Sequence, residues 1–409
     1  MGYLRSRLSA YPVQTFELAI TVLLWQASTG VFLLSLVQQY LPQELEANAA
    51  FPGYALAIYA AGRFLLQAPA GWLADRLGCR RTLTLGIAIS LPSVFLMLQV
   101  QDAMSFLAFS GLYGAGSAAV WPAIMAYVGD TNERSTRGRT LNMLNISQLV
   151  GLGVGTMAGV TLLDLISYQA AFVACLAFSG LALAFAYRGA RTTNVIARIE
   201  DANQAPKGTR QQLFSAQLVL LASIALLLSI GTTVQAPVVS TYANDVLDTK
   251  LYVMGLLLLA PALGAGFLVV RYGGQLSDRL GRPVPLIGGL GVAAICYFLL
   301  SQTTNPLLAA NLIVLAGLGY AICIPAWGAA ALDATEFGAR GVLLGVLATV
   351  QGLGGAAGQA IGGMTNAAFG PVAPFKVGAI LLVLALLLTV MHLQQQRRRE
   401  RAAAPAIAD

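Results

Sequence analysis

Long apolar runs parted by short polar breaks dominate this chain, and most of the runs are close to the length of a bilayer crossing. A helix needs about 20 residues to cross ~30 Å of hydrocarbon. Runs of that size lie at approximately 15–38, 53–73, 82–100, 104–128, 140–164, 169–187, 213–237, 252–272, 284–301, 306–331, 342–366 and 374–393. The clearest breaks between them are 129–139, 188–212 and 277–282. The pattern predicts an all-α membrane protein with twelve transmembrane helices.

Composition supports this. Of 409 residues, 57% are hydrophobic and 10% charged, against about 25% charged in ordinary soluble domains. A soluble fold cannot hide so much apolar side chain, because roughly half of its area still faces water. Lipid is therefore the solvent for most of the chain, and the 43 glycines suit helices packed closely inside it. The formal charge of +7 does not indicate a nucleic-acid partner, since the basic residues form short clusters between apolar runs and no single patch. Four scattered cysteines show neither metal spacing nor a disulfide framework. No nucleotide-binding loop or metal cluster is visible and there is one histidine, so no cofactor and no enzymatic activity are expected. No small-residue cleavage site follows the first apolar run, so a cleaved leader is not expected either.

Lysine and arginine orient the spans. With the N-terminus inside, the inner segments hold Arg5 and Arg7, then Arg76, Arg80 and Arg81, then Arg134, Arg137 and Arg139. The longest polar stretch adds Arg188, Arg191, Arg198, Lys207 and Arg210, and Arg271, Arg279, Arg282, Arg340 and four arginines of the tail follow. Of the 24 basic residues, only Lys250, Lys376 and the intramembrane Arg63 fall elsewhere. Both termini are therefore expected in the cytoplasm of a cell whose inner membrane holds the protein. The expected organisation is a six-helix bundle over 1–187, a cytoplasmic linker over 188–212, a second six-helix bundle over 213–394 and a disordered tail over 395–409.

The two halves repeat at an offset of 203 residues. Gly71, Leu73, Asp75, Arg76, Leu77 and Gly78 fall on Gly274, Leu276, Asp278, Arg279, Leu280 and Gly281. Pro122, Asp130, Glu133, Arg137 and Gln148 fall on Pro325, Asp333, Glu336, Arg340 and Gln351. Gly151, Gly155 and Gly159 then fall on Gly354, Gly358 and Gly362. Shared hydrophobicity alone does not match acids, prolines and glutamines in one register. Six spans separate the copies, so the halves share topology and are related by an axis along the membrane normal. A central cleft between two bundles is the expected place for a solute.

The segment from Gly71 through Asp75, Arg76 and Gly78 to Arg80 and Arg81 resembles the loop 2–3 signature of the major facilitator superfamily. The segment from Gly274 through Asp278 and Arg279 to Gly281 resembles that family's loop 8–9 copy. With twelve spans and a six-plus-six repeat, the resemblance covers nearly the whole chain. It implies two pseudo-symmetric six-helix bundles and transport by alternating access. It also implies that Asp75, Arg76, Arg80 and Arg137, mirrored by Asp278, Arg279 and Arg340, form a conformational latch on the cytoplasmic side. A tight solvated turn whose arginines only set topology is the alternative. The fifth-span row Gly151, Gly155, Gly159 resembles the glycine-rich signature of drug antiporters, with Thr156 where that signature places proline. With its counterpart in the eleventh span it also serves simple helix packing.

Ionisable groups inside a membrane are functional candidates. Arg63, half-way along the second span, is expected to bind an anionic group on the substrate or to tie helices to a carbonyl or to Glu17. Glu17 at the inner edge of the first span and Asp164 at the outer end of the fifth are candidates for proton coupling. Ser110 stands where many proton-coupled relatives carry a fourth-span arginine. By the resemblance, spans one, four, seven and ten line the cavity, which brings forward Trp25, Gln26, Tyr113, Trp121, Thr233, Gln235, Tyr320 and Trp327. Such aromatics with neutral hydrogen-bonding groups suit an amphipathic compound or a sugar. The expected function is proton-coupled efflux of amphipathic small molecules by a monomer. A sugar or organic-anion carrier and a non-transporting receptor on the same fold are the alternatives.

Overall fold

The structure is a computed structural model that describes residues 13–131, 137–189, 216–258, 261, 283–333 and 340–403. Among the described residues all regular structure is helical. The chain divides into two compact units, Met1–Ala205 and Pro206–Asp409, and the division falls inside the expected linker.

In the first unit the first span runs as α-helix over Val13–Gly30, widens to π-helix over Val31–Tyr40 and ends in the turn Leu41–Glu44. The second opens at Phe51–Leu65 with Pro52 in its first turn, where its missing N–H costs no bond. Gln67–Met97 holds the inner end of the second span and the whole third span, joined by a turn at Gly78. Asp102 caps the fourth span, accepting the Ser105 N–H at 2.8 Å, and that bond holds its carboxyl below the ordinary range. The fourth span comprises Ala103–Ser117 and Val120–Thr131, the fifth Arg137–Leu165 and the sixth Tyr168–Gly189.

The second unit starts with Ala216–Thr233, which breaks into a 3-10 turn at Ala236–Val238 where Pro237 lacks an amide hydrogen. This seventh span then widens to π-helix over Tyr242–Val246. The eighth span is helical over 251–258 and continues outside the described residues. Pro283–Leu300, Pro306–Asp333, Arg340–Phe369 and Ala373–Ala403 complete the set. The Asn305 carboxamide oxygen caps the tenth span from Leu307 and Leu308 N–H groups at 2.9 and 3.1 Å.

The twelve-helix architecture stands. Seven described helices are long and apolar enough to cross a membrane on those criteria alone. The second and third are broken by the polar loop motif, the apolar part of the ninth is the short Leu286–Leu300, and the eleventh is diluted by glycine. One boundary moves: the last helix runs to Ala403, beyond the 394 expected, because no glycine or proline interrupts the stretch before Pro405. Residues 404–409 of the expected tail lie outside the described residues.

The repeat reappears in the backbone. Each unit widens its first span to π-helix and then carries an acid in left-handed conformation, Glu46 at φ 48° and Asp248 at φ 47°. Lipid supplies no hydrophobic force between helices, so small residues set the packing. A Cβ on Gly151 or Gly155 would lie 2.1 Å from the Leu23 carbonyl oxygen or 1.8 Å from that of Ala27. In the second unit, Gly358 and Gly362 meet the carbonyls of Ile230 and Val234 at 2.7 and 1.8 Å in the same sense, and Gly354 meets Ser229 at 2.9 Å. The fifth span thus lies backbone-to-backbone on the first, and the eleventh on the seventh. Leu149, Val150 and Val154, on other faces of the fifth span, are exposed and free to meet lipid.

Gly78 sits at φ 80°, ψ 165°, a region essentially reserved for glycine. Gly78→Ala is expected to cost ~1–3 kcal/mol and to lower the thermal midpoint of the detergent-solubilised protein. Gly180→Ala, where the nearest atom to the new methyl is 4.0 Å away, should not lower it. Equal midpoints for the two variants would show that the loop does not make this turn.

Candidate functional site: a recess in the first unit

Four spans of the first unit converge on a small, partly open recess. The first span supplies Val22, Trp25 and Gln26, the i, i+3, i+4 positions of one helical face. The second supplies Tyr59 and Arg63, one turn apart. The fourth supplies Ser117, Val120, Trp121 and Ile124, and the fifth supplies Gln148. Glycines bring these walls together: a Cβ on Gly114 would lie 2.1 Å from the Tyr59 carbonyl oxygen, and one on Gly62 would lie 2.6 Å from that of Gly111. The second span therefore presses on the fourth at the level where it delivers Tyr59 and Arg63.

The back of the recess is a stack of rings. Trp25 is 2% exposed and lies on Tyr113, with centroids 5.4 Å apart and planes 24° apart. Tyr113 in turn stacks on Tyr59 at 5.8 Å and packs against Phe32 at 4.6 Å. Its hydroxyl is within 3.1 Å of Ser28 Oγ and 3.4 Å of Thr29 Oγ1. Ser28 Oγ also lies 2.6 Å from Ser179 Oγ, which ties the stack to the sixth span. Tyr113 itself is wholly buried and does not line the recess.

Arg63 is the one cation on the lining, and its guanidinium lies 5.9 Å from the centre of the Phe64 ring. Among the described residues no carboxylate pairs with it, Glu17 included. The lining otherwise offers two indoles, the Gln26 and Gln148 carboxamides, and the Ser117 and Tyr59 hydroxyls. An anionic group could bind Arg63 through charge-assisted hydrogen bonds while an apolar body lies along the indoles.

The structure thus gathers Trp25, Gln26, Arg63 and Trp121 on one recess. Gln235, Tyr320 and Trp327 belong to the second unit. There the Gln235 amide N–H donates to the Thr232 carbonyl at 2.6 Å and to the Tyr297 hydroxyl, and Tyr320 bonds Thr232. Thr233 Oγ1 donates to the Gly355 carbonyl at 3.1 Å, tying the seventh span to the eleventh. Trp327 is 8% exposed in an apolar core with Leu221, Ile224 and Leu290. Tyr59 and Gln148 line the recess although the sequence did not single them out as binding groups. Gln148 had left a signal, since it falls on Gln351 in the repeat.

Glu17 is half-buried off the recess, with its carbonyl accepting the Thr21 hydroxyl at 2.8 Å. Asp164 accepts the Gln39 amide N–H at 3.5 Å. In the loop motif, Arg76 caps the exposed Trp72 ring at 4.0 Å, and Arg80 caps Tyr187 of the sixth span at 4.3 Å. Asp75 is exposed and has a partner. Arg137 and Arg340 open the fifth and eleventh spans, and their side chains lie outside the description. Asp278 and Arg279 also lie outside the described residues.

A family model described as Major Facilitator Superfamily matches residues 18–359 and, again, residues 221–408. A proton-coupled antiporter flippase, LtaA, of Staphylococcus saprophyticus is 24% identical over 351 residues, spanning 84% of this chain and 85% of that protein. The Staphylococcus aureus LtaA is 22% identical over 84% of this chain and 86% of its own length. Among solved structures, a point mutant of the nucleoside transporter NupG superposes with a TM-score of 0.74 at 12% identity, covering 93% of this chain and 99% of its own. The human organic anion transporter MFSD10 gives 0.64 at 15% identity over 93% and 100%. At these identities the two structures speak for the fold alone.

Proposed function

The chain belongs to the major facilitator superfamily of membrane transporters, and on that premise we propose that it exports amphipathic organic anions in exchange for protons by alternating access. Arg63 carries the reading. A sheltered guanidinium needs a partner, and among the described residues no carboxylate supplies it. An anionic substrate group would fill that place, with Trp25 and Trp121 for its apolar part. The fifth-span glycine row and the proton-coupled antiporter flippases among the relatives support efflux and proton exchange. The arginines of the inner connections support cytoplasmic termini.

Flux in proteoliposomes under an imposed pH gradient tests this, using a fluorescent anionic amphiphile and its neutral analogue. Arg63→Gln is expected to slow the anion at least tenfold, with Arg63→Lys intermediate and the neutral analogue unaffected. Equal flux of both compounds through variant and parent would remove Arg63 from substrate recognition. The same arginine also fits an organic-anion carrier that uses no protons. That reading wins if anion flux persists after a protonophore collapses the gradient, and binding without flux would mark a receptor.

A further inference from the structure

The π-helical part of the first span buries polar side chains against the fifth span. Ser35 and Gln39, four residues apart, are 0% and 2% exposed. Both face the fifth span: a Cβ on Gly159 would lie 2.5 Å from Ser35 Oγ, and Gln39 Nε2 donates to Asp164 Oδ1 at 3.5 Å. Ser35 Oγ and Gln39 Oε1 are both buried and without a hydrogen-bond partner among the described residues. Buried polar atoms are nearly always paired. An unpaired hydroxyl and an unpaired amide oxygen lie on one seam that ends at a carboxyl group; the amide oxygen calls for a donor, and a carboxyl donates only when protonated.

We propose that Asp164 is the site where the coupling proton binds, with Gln39 as the group that positions it. With Asp164 ionised, the Gln39 amide N–H donates to the carboxylate, as seen. With Asp164 protonated, the carboxamide turns over and Oε1 accepts the new O–H. One amide thus serves both states without moving the backbone. The only bond made is the carboxyl O–H, its proton taken from water on one side of the membrane and returned to water on the other.

The first span, the π segment, and the fourth and sixth spans pack on the fifth. Their titratable groups toward this end are Tyr40 and Tyr168, with ring centroids 5.2 Å apart, and Asp102 at the cap of the fourth span. Glu44 follows just beyond Tyr40. Glu17 and Arg188 lie toward the opposite ends of their spans.

The inference rests on the proton-exchange reading above, and two measurements separate them. In infrared difference spectra of the purified protein taken across pH, a carboxylic C=O band is expected to titrate in the parent, vanish in Asp164→Asn and shift its midpoint in Gln39→Leu. In proteoliposomes, Asp164→Asn is expected to lose gradient-driven flux at least tenfold while keeping substrate exchange without a gradient, which also shows that it folds. A parent-like band in Asp164→Asn, or parent-like gradient-driven flux, would overturn the site. If instead the parent shows the Asp164 band but no gradient-driven flux, the site stands and proton-driven export falls.

Discussion

Gly155→Val is expected to yield no monodisperse protein in detergent, whereas Gly153→Val, two residues away, should behave like the parent. A side chain at 155 would put its first carbon 1.8 Å from the Ala27 carbonyl oxygen and 2.5 Å from the Ala27 Cα, both backbone atoms of the first span. A flexible side chain could swing aside, but a helix backbone cannot without displacing the span. The cost should exceed the ~1–3 kcal/mol of ordinary overpacking. At Gly153 nothing lies within 4 Å of the added carbon. Gly362→Val repeats the experiment in the second unit, against the Val234 carbonyl at 1.8 Å. Size-exclusion profiles of the three variants decide the matter. A normal profile for Gly155→Val would mean that the first and fifth spans do not touch backbone to backbone.

The second large effect is expected at Tyr113. Its ring is fully buried between Trp25, Phe32 and Tyr59, and truncating so large a buried side chain to alanine costs ~3–5 kcal/mol. Tyr113→Ala should therefore lower the thermal midpoint strongly and abolish flux, because Trp25 and Tyr59 lose the surface that holds them at the recess. Tyr113→Phe keeps the stack and gives up only the hydroxyl contacts to Ser28 and Thr29, ~1–3 kcal/mol if those groups are left unpaired. It should retain most of the flux. If Tyr113→Phe kept the parent's thermal midpoint but stopped transport, the phenol would be touching substrate and the supporting role assigned to it would be wrong.

Much of this was legible in the sequence because lipid imposes simple rules. Runs of about 20 apolar residues and a register of repeated acids, prolines and glycines carry the architecture. Gly78 was marked by its motif, and the chain there does turn through a conformation only glycine takes freely. Which side chains share a recess was harder to read. Trp25, Gln26, Arg63 and Trp121 do, but Tyr113 lies behind the wall. The fourth span breaks at Ala118 and Ala119, between Ser117 and Val120, and a single helical period cannot be carried across that break. Tyr59 went unnoticed because its place depends on Gly114, whose neighbour is 55 residues away in sequence. The wide turns of Val31–Tyr40 left no trace either: an apolar run looks the same whether its carbonyls are met four residues on or five.

Those wide turns have a consequence for how the chain tolerates change in length. A π-helical stretch already carries an extra residue per turn, so one residue can be gained or lost there as a local shift between five- and four-residue spacing. The faces on either side then keep their aim. The positions of Glu46 and Asp248 are 202 apart, while the loop motifs are 203 apart. A one-residue discrepancy of that kind is what such stretches, ten residues in one half and five in the other, are built to absorb. Single-residue deletions within 31–34, ahead of Ser35 and Gln39, should thus be far better tolerated than the same deletions among Val22, Trp25 and Gln26, where every later side chain on the face would be turned away.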